Sequence, residues 1–298
     1  METRDRRFVL IDRLYLVLAV LPLVAGIVIK VLTTPASNGI EITGARIFFT
    51  IPMPLQDLPI TESQVNSWLV MLTIFWLCRW LVHGVSERAD TKRQLICEWI
   101  IEKTDGLIAD NMGAKYFSHF GPFIAAIMSL SAFSSLISLI GLKTPTSDLN
   151  VVAGWALLVF ILRADYENKC GFGHYLLSFA DPPLLTPLNV ISEIATPVSM
   201  AFRHYGNVLS GSVISVLVAA ALQGLSSMLL GWLPGVLGSF PLLQIGIPAI
   251  LSLYFDLFSG LLQAFIFAML TMLYIGSGFP ADDWEILQAK HKQATATN

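Results

Sequence analysis

Only three charged side chains stand in the 95 residues from Pro187 to Ala281: Glu193, Arg203 and Asp256. Glu193, Thr196, Ser199, Arg203, Asn207 and Ser210 follow at intervals of 3, 3, 4, 4 and 3 residues. That period puts them in one polar stripe on one face of a helix. Ser252, Asp256, Ser259 and Gln263 repeat the pattern at intervals of 4, 3 and 4. Gly206, Gly211 and Gly260 flank the stripes and would let another helix approach closely. An arginine at the centre of a membrane helix costs about 2.5–3.5 kcal/mol on insertion scales, so such a residue needs a reason. A structural Arg203–Asp256 ion pair would account for two charges but not for two extended stripes. The stripes fit a path along which ions move, with Arg203 as a fixed charge in it.

The elements that must carry these stripes follow from composition. The 298 residues are 55% hydrophobic and 13% charged, with a mean hydropathy of +0.68. Soluble domains carry about 25% charged residues, and there is too little polar surface here to coat a particle in water. The net charge of −3 argues against nucleic-acid binding, which needs a basic face. The chain reads as an all-α integral membrane protein. Cys78, Cys97 and Cys170 form no CxxC pair and are odd in number, which suits reduced packing residues rather than a disulfide framework or zinc site.

A span needs about 20 mostly apolar residues. The expected spans are 14–32, 68–82, 117–142 and 151–162, about four upright helices, the first read as an uncleaved anchor rather than a signal peptide. Residues 34–62, dotted with Pro35, Pro52, Pro54 and Pro59, read as a loop. Residues 79–115 mix charges with Leu95, Ile96, Trp99, Ile100 and Ile108 at helical spacing, the pattern of one amphipathic surface helix. The Arg-rich start and this segment belong on the cytoplasmic side by the positive-inside rule. That puts loop 33–65 and turn 143–150 outside and loop 163–186, with Arg163, inside. The apolar runs 188–230 and 242–274 would be helices of about 65 and 50 Å, too long for a hydrocarbon core of about 30 Å. With WLPGVLGSFP (232–241) as the turn, they are expected to form a hairpin of two long, steeply tilted helices. Four regions result: 1–65, anchor and external loop; 66–186, transmembrane helices with the amphipathic segment; 187–278, the hairpin with the ion path; and 279–298, a cytoplasmic tail.

Particular segments resemble a known family. RHYGN (203–207) followed by LSGSVI (209–214) is similar to the RLFGN segment of the a subunit of bacterial F-type ATP synthases. LLQAFIFAMLTMLYI (261–275) resembles that family's last-helix signature, and YFDLFSG (254–260) its bacterial form. PTSDLNV (145–151) and PLNVISEIATPVS (187–199) match further segments in the same order, so the resemblance spans about 62–278. It implies a stator subunit, not catalytic on its own, packed against a rotating ring of c subunits that carry membrane-embedded carboxylates. Two aqueous half-channels would pass H⁺ or Na⁺ to and from the ring, driving rotation and ATP synthesis. The resemblance also implies peripheral-stalk b subunits, an indirect link to the catalytic head, the lipid bilayer as surroundings, and a multi-pass place in a bacterial plasma membrane with both termini cytoplasmic. No cofactor is implied.

On that resemblance Arg203 corresponds to the essential arginine and Gln263 to the last-helix glutamine beside it. Asn207 belongs to the same stripe. Ser212 stands where some members carry Glu or His, and Asp256 where others carry His or Glu, so a relay by two titratable groups is not reproduced. Ser212 is nine residues, about 900° of rotation, past Arg203 and faces away from its stripe, as a separate outer channel would require. Asp148 and Asn150 are candidates for the outer mouth, with helix capping as the alternative for Asp148. Glu193, with Asn189 one turn earlier, is the candidate for the inner half-channel, the alternative being a solvated residue near the interface. His204 and Tyr205 replace the family's Leu and Phe. No GxxxxGK[ST] occurs, GFG (171–173) lacks a third glycine, and His83, His119, His174, His204 and His291 show no metal-ligand spacing. The competing readings are an ion-coupled secondary transporter with a midplane Arg/Asp site, which should show internal repeats, and a non-conducting scaffold.

Overall fold

A computed structural model describes residues 2–33, 45–54, 56–85, 91–112, 120–168, 183–230, 243 and 246–277. Helix α1 (Glu2–Thr33) leads to a two-stranded antiparallel ribbon, β1 (Ile47–Ile51) and β2 (Leu58–Thr61). Helices α2 (Glu62–Val82), α3 (Lys92–Met112) and α4 (Gly121–Leu136) follow. Two 3₁₀ turns, Ile137–Ile140 and Pro145–Ser147, separate α4 from α5 (Leu149–Asn168). The C-terminal third holds α6 (Thr186–Leu230), α7 (Ile247–Ser252), a π-helical segment Leu253–Ser259, and α8 (Gly260–Ser277). Among the described residues, 6 helical stretches are long and apolar enough to cross a membrane. The protein is a helical integral membrane protein, as its composition requires.

Several boundaries differ from the expected ones. The proline-dotted segment 34–62 contains the ribbon, with Ile51 paired to Leu58 and Thr50 to Pro59. A two-stranded ribbon has an outer edge on each strand, which is where a residue without an N–H is tolerated. The fourth span, too short at 151–162 unless flanking residues extend it, is extended to Leu149–Asn168, so Arg163 lies in a helix and not in a loop. Pro197 lies inside α6 without ending it, and the 45 residues form one helix about 68 Å long. The second long run is not uniform, because the π segment interrupts it. Cys170, His119, His174, His291, GFG (171–173), the turn 232–241 and the tail 279–298 lie outside the described residues.

The chain divides into two compact units. The first comprises Met1–Val85, Ser129–Asp148 and Tyr205–Ala264; the second comprises Ser86–Met128, Leu149–His204 and Phe265–Asn298. In the first, Val70, Ile137 and Leu142 form an apolar cluster with Leu23, Ile74, Leu130 and Phe133. Gly141 closes the first 3₁₀ turn at φ 81°, a left-handed conformation in which a β-carbon would clash, and its carbonyl accepts from Lys30 Nζ. Where α1 and α2 meet near residue 83, His83 stacks on Phe8 with centroids 4.4 Å apart and lies 3.7 Å from Asp12. In the second unit, Ile124, Val159, Phe267, Met272 and Ile275 are almost wholly buried in one cluster. Outward apolar side chains such as Leu16, Leu157 and Leu217 suit contact with lipid, which solvates them as well as a protein core would.

Helix α3 is less simple than its spacing suggests. Ile108 and Met112 are buried with Gln94 and Thr104, whereas Leu95, Ile96, Trp99 and Ile100 point outward. Gln94 and Thr104 go inside because each is hydrogen-bonded, Gln94 Nε2 to Glu98 Oε1 at 2.8 Å and Thr104 Oγ1 to the Ile100 carbonyl at 2.8 Å. Cys97 on this helix and Cys78 on α2 form no disulfide.

Candidate functional site

Two polar clusters lie within the membrane-capable helices, one in each unit. In the first unit the π segment carries Asp256, whose carboxylate accepts hydrogen bonds from Ser138 and Ser252. Ser259 Oγ donates to Asn207 Oδ1 at 2.9 Å. Asp256 and Asn207 border a cavity of about 20 Å³ with Ser135, Thr144, Val208 and Gly260. That is room for one water molecule, and the site is polar enough to hold it. π-Helical turns are rare and favour functional sites, and this one sets the only carboxylate of 187–281 beyond Glu193 among hydroxyls.

A small residue makes this arrangement possible. A β-carbon built on Gly260 would lie 2.5 Å from Ser135 Cβ. Gly260→Ala should therefore lower the thermal stability of the detergent-solubilised protein by about 1–3 kcal/mol, the range for overpacked interiors. Adding Ser135→Gly should restore most of the loss, which paired melting curves of the single and double variants would show. Gly211 is also tight, its built β-carbon 3.0 Å from the Phe255 ring, but nothing lies within 4 Å of one on Gly206.

The second unit holds Glu193, 7% exposed. Its Oε2 pairs with Arg163 Nη2 at 2.9 Å, and the same nitrogen reaches Glu167 Oε1 at 3.0 Å. Arg163 also stacks over the Tyr274 ring, 4.3 Å from its centroid. Glu193 is thus not the solvated interfacial residue of the alternative reading. Pro197 explains part of the geometry. It has no N–H, so the carbonyl four residues earlier, that of Glu193, loses its helical donor. Tyr274 Oη takes the vacant place, 2.9 Å from the Glu193 carbonyl oxygen and 2.9 Å from Glu193 Oε1. One phenolic proton cannot fully serve both oxygens, and one guanidinium serves two carboxylates, leaving Glu167 Oε2 buried without a partner. Among the described residues the cluster thus sets two carboxylates against one guanidinium, an arrangement in which one carboxyl can hold a proton.

Arg203 is exposed and makes no ion pair or hydrogen bond among the described residues. Gln263 is 6% exposed and its Nε2 finds no partner there. His204, the replacement for the family's leucine, is fully buried between Trp155 and Phe267, with ring centroids 5.9 and 5.6 Å away. Edge-to-face packing accounts for it. The remaining stripe members are occupied locally: Thr196 Oγ1 bonds to the Ser192 carbonyl, Ser210 Oγ to that of Asn207, and Ser212 Oγ to that of Leu209. Ser212 is exposed and does not border the Asp256 cavity. Asn189 is half-buried one turn before Glu193, and Asn150 is exposed. Asp148 Oδ2 accepts from Thr61 Oγ1 at 3.5 Å, so its contact is to the start of α2.

Comparison with known proteins identifies the family. The family model described as ATP synthase A chain matches residues 64–276. The chain belongs to the ATP synthase A chain family. It is 30% identical over 266 residues to the sodium ion specific ATP synthase subunit a of Propionigenium modestum, covering 78% of this chain and 84% of the relative. It is 32% identical to ATP synthase subunit a of Desulforamulus reducens, over 72% and 78% of the two chains. ATP synthase subunit a 2 of a Bradyrhizobium strain is 29% identical over 76% and 93%. Membership in the ATP synthase A chain family makes this a multi-pass, ion-conducting, non-catalytic subunit of the membrane sector of an F-type ATP synthase. The matched region contains Asp256, Glu193, Arg163 and Tyr274 of both clusters as well as Arg203.

Sequence reasoning missed Arg163, Glu167, Tyr274, Ser135 and Ser138. Arg163 and Glu167 stand four apart, an i,i+4 signal of an internal ion pair. Pro197 marks Glu193 as the residue whose carbonyl is set free.

Proposed function

We propose that this chain is the stator that passes H⁺ or Na⁺ to and from the carboxylates of a rotor ring through two half-channels. The observation that carries the reading is Arg203, an exposed guanidinium within a membrane-spanning helix and without an ion pair among the described residues. Such a charge is costly in a bilayer, and a carboxylate on a facing subunit relieves the cost. Arg203 then favours the deprotonated rotor carboxylate by Coulomb attraction in a low dielectric. It also repels cations that would leak directly from one half-channel to the other.

The cluster of Asp256, Asn207 and the surrounding hydroxyls suits the outer half-channel, and the cluster of Glu193, Arg163 and Tyr274 the inner one. On the family correspondence, Asp148 and Asn150 are assigned to the outer half-channel, Asn189 to the inner, and Gln263 to the ion path. Ser212, exposed and bonded to the Leu209 carbonyl, is assigned to the outer half-channel. The region 187–278 supplies most of the path, 1–65 and 66–186 brace it, and 279–298 is a tail. At about 68 Å, α6 exceeds the hydrocarbon thickness more than twofold, so it lies steeply inclined. The basic segments favour a cytoplasmic N-terminus; the family resemblance supports a bacterial plasma membrane with both termini cytoplasmic, and peripheral-stalk b subunits that connect the chain to the catalytic head.

Purification of the tagged chain from its native membranes in mild detergent tests the assignment. A ring of small carboxylate-bearing subunits, peripheral-stalk subunits and an ATP-hydrolysing head should be recovered with it. Recovery of the chain alone, conducting ions in liposomes, would favour a self-contained transporter. Recovery alone with no conductance would favour a scaffold.

A further inference from the structure

The start of α2 holds a carboxylate that the two clusters do not use. Glu62 is 8% exposed, and its side chain makes no hydrogen bond or ion pair among the described residues. Its backbone N–H donates to the Arg46 carbonyl at 2.8 Å, which ties the ribbon to the helix. Ser63 beside it is fully buried with an orphaned Oγ, and Thr146 in the second 3₁₀ turn is fully buried with an orphaned Oγ1. Asn66, one helical turn past Glu62 and 4% exposed, donates to the Lys143 carbonyl at 2.8 Å. Thr61, immediately before Glu62, donates to Asp148. Two carboxylates and two unsatisfied hydroxyls therefore gather where α2 meets the turn 145–147.

Helix capping does not account for this. The capping box of Thr61 and Gln64 is complete without Glu62. A carboxylate in the first turn gains from the helix dipole, but that gain needs no burial. Nor does any described residue pair with the charge. The Arg46 guanidinium is directed to the Thr33 carbonyl at 3.1 Å, Lys143 meets α2 through its carbonyl, and Asp57 on the ribbon is exposed and of the same sign. A buried, uncompensated carboxylate beside orphaned hydroxyls calls for a cation and water, and all-oxygen ligation suits hard cations. The place also leads somewhere. Thr144, two residues before Thr146, borders the Asp256 cavity.

We propose that Glu62, with Ser63, Thr146 and Asp148, is the site that captures the coupling cation, hydrated Na⁺ or hydronium, at the outer mouth of the path to Asp256. This rests on the stator reading above. Carboxylate-lined clefts raise local cation concentration by about 10–10³-fold. In the whole ATP synthase in proteoliposomes, Glu62→Gln should therefore raise the half-saturating outside ion concentration for ATP synthesis about tenfold at fixed membrane potential, with a smaller loss of maximal rate. The readings are synthesis against outside pH and against outside Na⁺. Glu62→Asp should restore most of the affinity. An unchanged half-saturation in Glu62→Gln, or a loss of maximal rate and assembly with no change in half-saturation, would overturn the proposal. Should Glu62→Gln not assemble, Asp148→Asn decides: a raised half-saturating outside ion concentration supports the proposal, and an unchanged one overturns it. If Arg203→Ala abolishes coupling while Glu62→Gln leaves ion affinity intact, the capture site fails and the stator reading stands.

Discussion

Arg203→Ala should reduce ion-driven ATP synthesis in membranes to background while the complex still assembles. The guanidinium is exposed and makes no ion pair among the described residues, so its removal takes away a charge and strands no buried partner there. On the proposed stator role, the variant would lose the attraction that keeps a rotor carboxylate deprotonated as it passes, together with the barrier between the half-channels. Arg203→Lys should rescue poorly, because a compact, strongly hydrated ammonium does not replace a planar guanidinium with five donors. Synthesis rates beside immunoblots of assembled complex are the measurement. Near-normal coupled synthesis in Arg203→Ala would refute the stator assignment.

Asp256→Asn should slow coupled turnover at least about tenfold, a modest share of the 10²–10⁴-fold that a positioned proton-transfer group contributes. Asparagine keeps the shape and can still accept from Ser138 and Ser252, which hold the carboxylate, so assembly should change little. A structural ion pair would predict the reverse pattern, since stranding a buried partner costs about 3–5 kcal/mol and shows first as lost protein. Quantifying complex and synthesis in the same membranes separates the two. Wild-type synthesis by Asp256→Asn would remove Asp256 from the ion path.

Much of this was legible in the residues. Periodicity located the apolar helices and, through the stripes, brought Asn207 and Asp256 to one small cavity. The RHYGN and LLQAFIFAML segments indicated the family that comparison then established. Arg163 was misplaced because a charge at the end of an apolar run ordinarily marks the water boundary. Here Glu167 and Glu193 compensate it, and a sum over single residues cannot register a partner 30 positions away. Tyr274 was read as part of an apolar signature, and only the carbonyl freed by Pro197 reveals why its hydroxyl matters. Glu62 was hidden for the opposite reason. It ends a polar segment, where a carboxylate looks solvated, and only the tertiary structure shows that it is buried.

The widened turn at 253–259 has a mechanical meaning. An α-helix transmits rotation rigidly, so whatever fixes the azimuth of one residue fixes that of every other. An i→i+5 segment uses more residues per revolution and acts as a phase shifter between the stretches on either side. Asp256 can then be clocked toward Ser138 and Ser252 while Gln263, in the regular winding beyond, takes its heading from its own surroundings. A rod with one adjustable joint can satisfy two alignments that a straight rod of the same sequence length would force into compromise.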